Sequence, residues 1–172
     1  MSVSVENGAQ ALVVLVVEDE FFVRYDVADC LRAAGYVVVE TESGDEAIDL
    51  CKSDMSIDIV FTDINLTGAA SGWDVAEHFR TDRPTVPVLY TSAKSIDPRR
   101  CVTGSAFVAK PYQHDDILNA CQRLRTKCGS KADMAQSIRN VRFTPKSGQR
   151  PHGIYEYTPL VGRLVFAGGR HP

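Results

Sequence analysis

Three acidic residues stand in a row at Glu18, Asp19 and Glu20, and a fourth, Asp63, closes an apolar stretch. Further along come a hydroxyl pair, Thr91 and Ser92, and a lysine followed by proline, Lys110-Pro111. Clustered carboxylates repel one another and are costly to hold together without a cation. A donor set made only of oxygens suits a hard ion, and Mg2+ accepts one or two carboxylates while keeping several waters. Lysine adds a compact positive charge suited to a phosphate oxygen or an aspartate partner, and threonine adds a hydroxyl donor. Such a group can neutralise a transferring phosphoryl while one carboxylate acts as nucleophile. Taken singly, each residue has a plainer role. Asp63 suits a turn or cap, the acidic triplet a first helical turn facing the helix dipole, Lys110 a loop, and Thr91 a cap. Chemistry follows only if the chain brings these four segments to one place.

The elements between them do so. Leu12–Val17 is a continuous aliphatic run, the pattern of a strand buried on both faces. A helical pattern runs from about Glu20 to Ala34 and is stopped by Gly35. Tyr36–Glu40 is short and β-branched, and Ser43 to Lys52 reads as a helix with its cap at Ser43 or Gly44. The third strand is expected over Ile57–Thr62 and the third helix over Gly72 to Arg80, closed before Pro84. Val86–Tyr90 is the fourth strand, and Ala93–Arg100 leaves room for only a short or irregular helix. Ser105–Ala109 is the fifth strand, and His114–Lys127 is a last helix with Ile117, Leu118, Cys121 and Leu124 on one stripe. Five β-α units in alternation predict a parallel sheet with helices on both faces. In such open sheets the working site lies beyond the carboxyl ends of the strands. Each of the singled-out residues follows a strand, so three acids, a hydroxyl and a lysine converge on one edge.

The chain has 172 residues, 44% of them hydrophobic and 24% charged, enough for one ordinary domain and an appendage. Residues 1–128 hold 12 basic and 20 acidic residues, whereas 129–172 hold 7 basic residues against only Asp133 and Glu156. The boundary is placed at Cys128-Gly129-Ser130, giving an N-terminal extension 1–10, a folded domain 11–128 and a basic tail 129–172. The longest apolar run, Ala11 to Val17, is far short of the roughly 18 to 20 residues that cross a bilayer. With no basic leader in residues 1–10, a cytoplasmic protein without membrane contact is expected. Five cysteines, an odd number with no C-x-x-C pair, read as reduced thiols.

At the strand ends the residues resemble a known family. Val13–Glu20, Ile59–Leu66, Pro87–Ser92 and Phe107–Tyr112 together are similar to bacterial response-regulator receiver domains of the stand-alone, chemotaxis-regulator type. The last two segments are most like those of rhizobia and related alphaproteobacteria. The resemblance covers about residues 10–127. It implies a flavodoxin-like, doubly wound (βα)5 fold with a five-stranded parallel sheet. Asp63 would accept a phosphoryl group from a sensor histidine kinase or a histidine phosphotransfer protein. Mg2+ would be bound by Glu18 through water, by Asp19 and Asp63 through carboxylates, and by Asn65 through its backbone. Thr91 and Lys110 would contact the phosphoryl oxygens, and Thr91 with Phe107 would form the conformational switch. The output would be a controlled protein-binding surface or onward phosphotransfer, with no enzymatic turnover beyond self-catalysed phosphotransfer and dephosphorylation. The downstream target is unnamed, and a homodimer is compatible with the pattern. Two departures stand out. Only 18 residues separate Thr91 from Lys110, so the fourth helix is shortened, and the switch position is Phe rather than Tyr, which removes a hydroxyl.

Two other classes fit parts of the pattern. Asp63-Ile64-Asn65-Leu66-Thr67 is similar to the D-x-D-x-T signature of haloacid-dehalogenase-type phosphatases, with Asp63 as nucleophile. Asn65 replaces their second aspartate, and no paired-aspartate segment follows the lysine. A DNA-binding regulator using the basic tail is the other alternative. The tail carries no helix-turn-helix pattern and no dense aromatic-basic interleaving, so nucleic acid is not the expected partner. It is expected to be mostly irregular or disordered, with Ile154–Tyr157 and Leu160–Phe166 as arms of a short hairpin at 154–166. The Gly68–Gly72 segment lacks both phosphate-loop spacings and reads as a flexible loop.

Overall fold

A computed structural model of the chain describes residues 11–128 and 154–156. Strands and helices alternate through the first stretch: β1 (Val13–Val17), α1 (Phe21–Ala33), β2 (Val37–Thr41), α2 (Gly44–Lys52), β3 (Ile59–Asp63), α3 (Gly72–Asp82), β4 (Val88–Ser92), β5 (Ala106–Ala109) and α4 (His114–Cys128). A further strand, β6 (Ile154–Glu156), completes the sheet order β2-β1-β3-β4-β5-β6. The first five strands are parallel, as the β-α alternation requires.

Period-2 alternation sends successive side chains to opposite faces, and two cores result. Leu15, Val17, Val60, Val88, Tyr90 and Phe107 pack under α2 and α3, with Ala47, Cys51, Trp73, Ala76 and Phe79. Val14, Val16, Ile59, Phe61, Leu89 and Val108 pack under α1 and α4, with Val27, Leu31, Ile117, Cys121 and Leu124. Burying each large aliphatic or aromatic chain stabilises by about 1.5–3 kcal/mol. The strands are therefore apolar on both sides because both sides are covered. Cys51, Cys101 and Cys121 are free thiols within these layers, and Cys30 is a buried free thiol on α1.

Local chemistry sets the ends. Gly35, at φ 89°, adopts the left-handed turn that stops α1. Ser43 accepts from Glu46 N at 3.3 Å at the start of α2. Ser71 and Asp74 form a reciprocal capping box on α3, and the bonds from Ser71 hold the Asp74 carboxyl below its usual range.

Three features depart from or extend the expected outline. The region between β4 and β5 has one 3-10 turn, Pro98–Arg100, capped by Asp97, whose Oδ1 accepts from Arg99 N at 3.0 Å. The shortened fourth helix is thus a single turn. The fourth strand lies later than expected and contains Thr91 and Ser92 as its last residues. Finally, β6 pairs antiparallel with β5, Val108 opposite Ile154 and Ala106 opposite Glu156. Only one arm of the expected hairpin is thereby described; the other arm, the rest of the tail and the N-terminal extension 1–10 lie outside the described residues.

Candidate functional site

The site is built where β1, β3, β4 and β5 end. Glu18 follows β1, and its backbone N donates to Thr41 O at 3.1 Å, continuing the ladder to β2. Asp63 is the last residue of β3 and is aligned with Thr91 of β4. Lys110 follows β5, with its backbone N donating to Ser92 O at 2.9 Å. Parallel register alone therefore brings together residues that are far apart in sequence.

At the centre, Lys110 Nζ donates to Asp63 Oδ2 at 2.5 Å and to Glu18 Oε2 at 2.8 Å. Both acids are buried, Glu18 completely. Burial pushes the Glu18 carboxyl above its usual value, with Lys110 opposing and Asp63 adding to the rise. Burial also pulls the Lys110 ammonium down, but the two carboxylates outweigh it and hold its pKa above the ordinary value. The other Asp63 oxygen, Oδ1, accepts from Asn65 N at 2.9 Å. Asn65 Nδ2 donates to Ser92 Oγ at 2.9 Å, tying the loop after β3 to β4. Asp19 Oδ2 accepts from Thr67 N at 3.0 Å.

Glu18, Asp19 and Asp63 present carboxylate oxygens within 4.8 Å of one another. Their donor chemistry is that of a hard divalent cation. Glu18 Oε1 is buried without a hydrogen-bond partner, an acceptor left over after Lys110 has been satisfied. The residues present thus fit Mg2+, with Asp19 and Asp63 as direct carboxylate candidates and Glu18 behind them.

Glu18, Asp19, Asp63, Asn65, Thr91 and Lys110 meet at this edge. Glu20 does not: it is exposed and sits at the N-cap of α1 without a side-chain cap bond. Phe107 lies in the core under α2 and α3, whereas Thr91 is aligned with Val108, which packs under α1 and α4. Trp73 packs at the start of α3 against Tyr90 at 4.8 Å between ring centroids, with Arg100 over its face.

Several further residues shape the site. Gly72 approaches the backbone of Asp63 so closely that a Cβ there would collide with its carbonyl oxygen. Arg24 Nη1 donates to Glu18 O at 2.6 Å, steadying the acidic turn from α1. Tyr112, two residues beyond Lys110, has its hydroxyl buried beside Thr91. The signal for Gly72 was its place at the first position of a helix following the Asp63 loop; for Arg24 and Tyr112 no local signal exists.

The chain is thus a doubly wound α/β fold with paired acids, a hydroxyl and a lysine at the carboxyl edge of its parallel strands. The response-regulator receiver family model matches residues 14–122, and the chain belongs to that family. A response-regulator receiver protein from Sinorhizobium medicae superposes with a TM-score of 0.67 at 30% identity, covering 69% of this chain and 98% of that one. A two-component response regulator of Oryza sativa subsp. japonica is 30% identical over 127 residues, 70% of this chain and 92% of its own length. A probable transcriptional regulatory protein of Picosynechococcus sp. is 28% identical over 165 residues, 90% of this chain and 61% of that protein. The transcriptional regulatory protein PdtaR of Mycobacterium tuberculosis is 30% identical over 114 residues, 63% of this chain and 54% of that protein. The chain therefore matches only about half to three fifths of the length of these last two relatives. It is a response-regulator receiver of two-component signalling. Among the described residues no helix is long and apolar enough to cross a membrane.

Proposed function

We propose that this chain is a cytoplasmic phosphorylation-controlled binding module whose phosphoacceptor is Asp63. The observation that carries the reading is the bridge from Lys110 to both Asp63 and Glu18 at an edge that also holds Asp19 and Thr91. A phosphohistidine of a sensor kinase or phosphotransfer protein is the donor that suits it. The Asp63 carboxylate attacks phosphorus as the phosphorus–nitrogen bond breaks, and that electron pair leaves on the imidazole nitrogen. Lys110 gives up part of its hold on the carboxylate to meet the growing charge on the phosphoryl oxygens. Thr91, whose buried hydroxyl has no hydrogen bond of normal geometry, donates to one of them. The backbone N of Asn65 holds the second Asp63 oxygen and aims the first. Asp19 and Asp63, with Glu18 behind them, would hold Mg2+, which would supply the remaining charge neutralisation. The acyl phosphate then biases a two-state surface that a protein partner reads, or passes its phosphoryl group onward.

Signalling without turnover is the favoured role. A phosphatase of the D-x-D-x-T kind needs a general acid two residues beyond its nucleophile, and here that residue is Asn65, bonded to Ser92.

The test is intact mass of the full chain before and after acetyl phosphate with Mg2+, for the wild type and Asp63→Asn. A labile gain of one phosphoryl group, absent in the variant and abolished by EDTA, is expected. No gain from acetyl phosphate, phosphoramidate or a panel of purified histidine kinases overturns the assignment.

A further inference from the structure

The aromatic position that the family resemblance assigned to switching, Phe107, has no hydroxyl and packs under α2 and α3. Thr91 belongs to the other side of the sheet. Its register partner is Val108, which packs with Leu89 and Phe61 under α1 and α4. Tyr112 packs against that same core, with its ring edge-on to Phe61 at 6.3 Å between centroids. Thr91 is wholly buried, and neither Thr91 Oγ1 nor the Tyr112 hydroxyl has a hydrogen bond of normal geometry. The two are nonetheless neighbours. Burial pushes the Tyr112 phenol up, the charges of Glu18 and Asp63 push it further, and a weak hydrogen bond with the Thr91 side chain opposes the rise. The phenol is thus within electrostatic reach of the phosphoacceptor.

Two adjacent buried hydroxyls with no partner beyond each other leave hydrogen-bonding capacity unmet, which is expensive to keep. Each is both donor and acceptor, so a single new acceptor at Asp63 satisfies both in series. Thr91 donates its proton to the phosphoryl oxygen and its own oxygen then accepts from the Tyr112 O–H. Hydrogen bonds in such a chain strengthen one another.

We propose that Tyr112, rather than Phe107, is the aromatic that reads Thr91, so that phosphorylation is relayed to the face formed by α1 and α4. Tyr112 is in this account a positioning residue. It stiffens the Thr91 bond and carries the change into the start of α4 at His114. The inference rests on Asp63 being the phosphoacceptor.

The experiment titrates beryllofluoride, a phosphoryl mimic, with Mg2+ into the full chain as wild type, Tyr112→Phe, Thr91→Val and the double variant. Tyr112→Phe removes one oxygen and no packing, and Thr91→Val conserves shape, so thermal unfolding of each variant serves as the folding control. Tyr112→Phe is expected to weaken beryllofluoride binding about fivefold, the equivalent of roughly one neutral hydrogen bond. The double variant is expected to bind no more weakly than Thr91→Val alone, because the two hydroxyls act as one unit. The ring carbon bearing the Tyr112 hydroxyl is expected to shift on beryllofluoride addition in the wild type and not in Thr91→Val. Unchanged affinity in Tyr112→Phe, or losses that multiply in the double variant, overturns the relay while leaving Asp63 phosphorylation intact. A wild type that neither binds beryllofluoride nor takes a phosphoryl group on Asp63 overturns both readings together.

Discussion

Lys110 and Glu18 lie 92 positions apart and meet at 2.8 Å, with the same ammonium also reaching Asp63 at 2.5 Å. One cation thereby holds two buried acids that would otherwise repel. Continuous polypeptide provides no reason for that meeting; the parallel registers of β1 with β3, β3 with β4, and β4 with β5 do.

Removing the cation exposes the repulsion. Lys110→Met is expected to cost about 2 kcal/mol at neutral pH, below the roughly 3 to 5 kcal/mol of a wholly buried pair because the lysine retains some solvent contact. The pH dependence has a definite sign. In the wild type the raised lysine pKa adds stability that is complete below 10.5 and is lost as pH rises through the raised value. In the variant the penalty shrinks as pH falls through the raised Glu18 value, where Glu18 takes up a proton and ceases to repel Asp63, and this relief is complete below the ordinary 4.5. Urea unfolding of both proteins at pH 4, 7, 10 and 12 checks both signs.

Metal dependence follows from the acidic cluster. Mg2+ that binds only the folded chain stabilises it by about 1.4 kcal/mol at ten times its dissociation constant. A thermal midpoint rising with Mg2+ concentration, and rising much less in Asp19→Asn, is the expected result. Differential scanning fluorimetry with matched ionic strength separates specific binding from screening.

Gly72 tests how tightly the strand that ends in Asp63 is packed from behind. Its absent side chain lets α3 start against the Asp63 carbonyl, and an added methyl would also press to 2.8 Å from Thr62 Oγ1. The obstacle is backbone, which cannot swing aside. Gly72→Ala is expected to destabilise by at least about 2 kcal/mol, in the range of severe core mutations, and to slow acetyl phosphate labelling of Asp63. Gly35→Ala, where an added methyl meets open space but φ is 89°, is expected to cost only the conformational penalty of about 1–2 kcal/mol. Chemical denaturation of the two variants ranks them.

Pairing of β6 with β5 predicts a local exchange pattern. With 154–156 in place, β5 has a hydrogen-bonded neighbour on both sides, β4 and β6. Truncation after Cys128 is expected to leave the five-stranded fold intact and to speed amide exchange on the outer edge of β5, between Ala106 and Val108. Equal exchange in both forms would count against the pairing as a populated interaction.

Much of this molecule is written locally. Continuous apolar runs such as Leu12–Val17, the Gly35 stop, the Ser71–Asp74 box and the stripe on the last helix depend on neighbours a few positions away, so they are legible from order alone. The acids and the lysine were legible for the same reason: each follows a strand, and strand ends share an edge. The relation between Thr91 and its aromatic partner was not. Sequence places both Phe107 and Tyr112 close to Lys110, three residues before it and two after. The pleat sends Phe107 to one core and leaves Tyr112 with the other, beside Thr91. Glu20 likewise has the same composition as its neighbours, yet helix geometry turns it to solvent at the N-cap. The close approach of Gly72 to Asp63 and the pairing of Ile154 with Val108 are contacts between distant segments. Element type follows from periodicity that short windows contain. Register, face and distance follow from long-range packing, where a one-residue shift reverses every side chain.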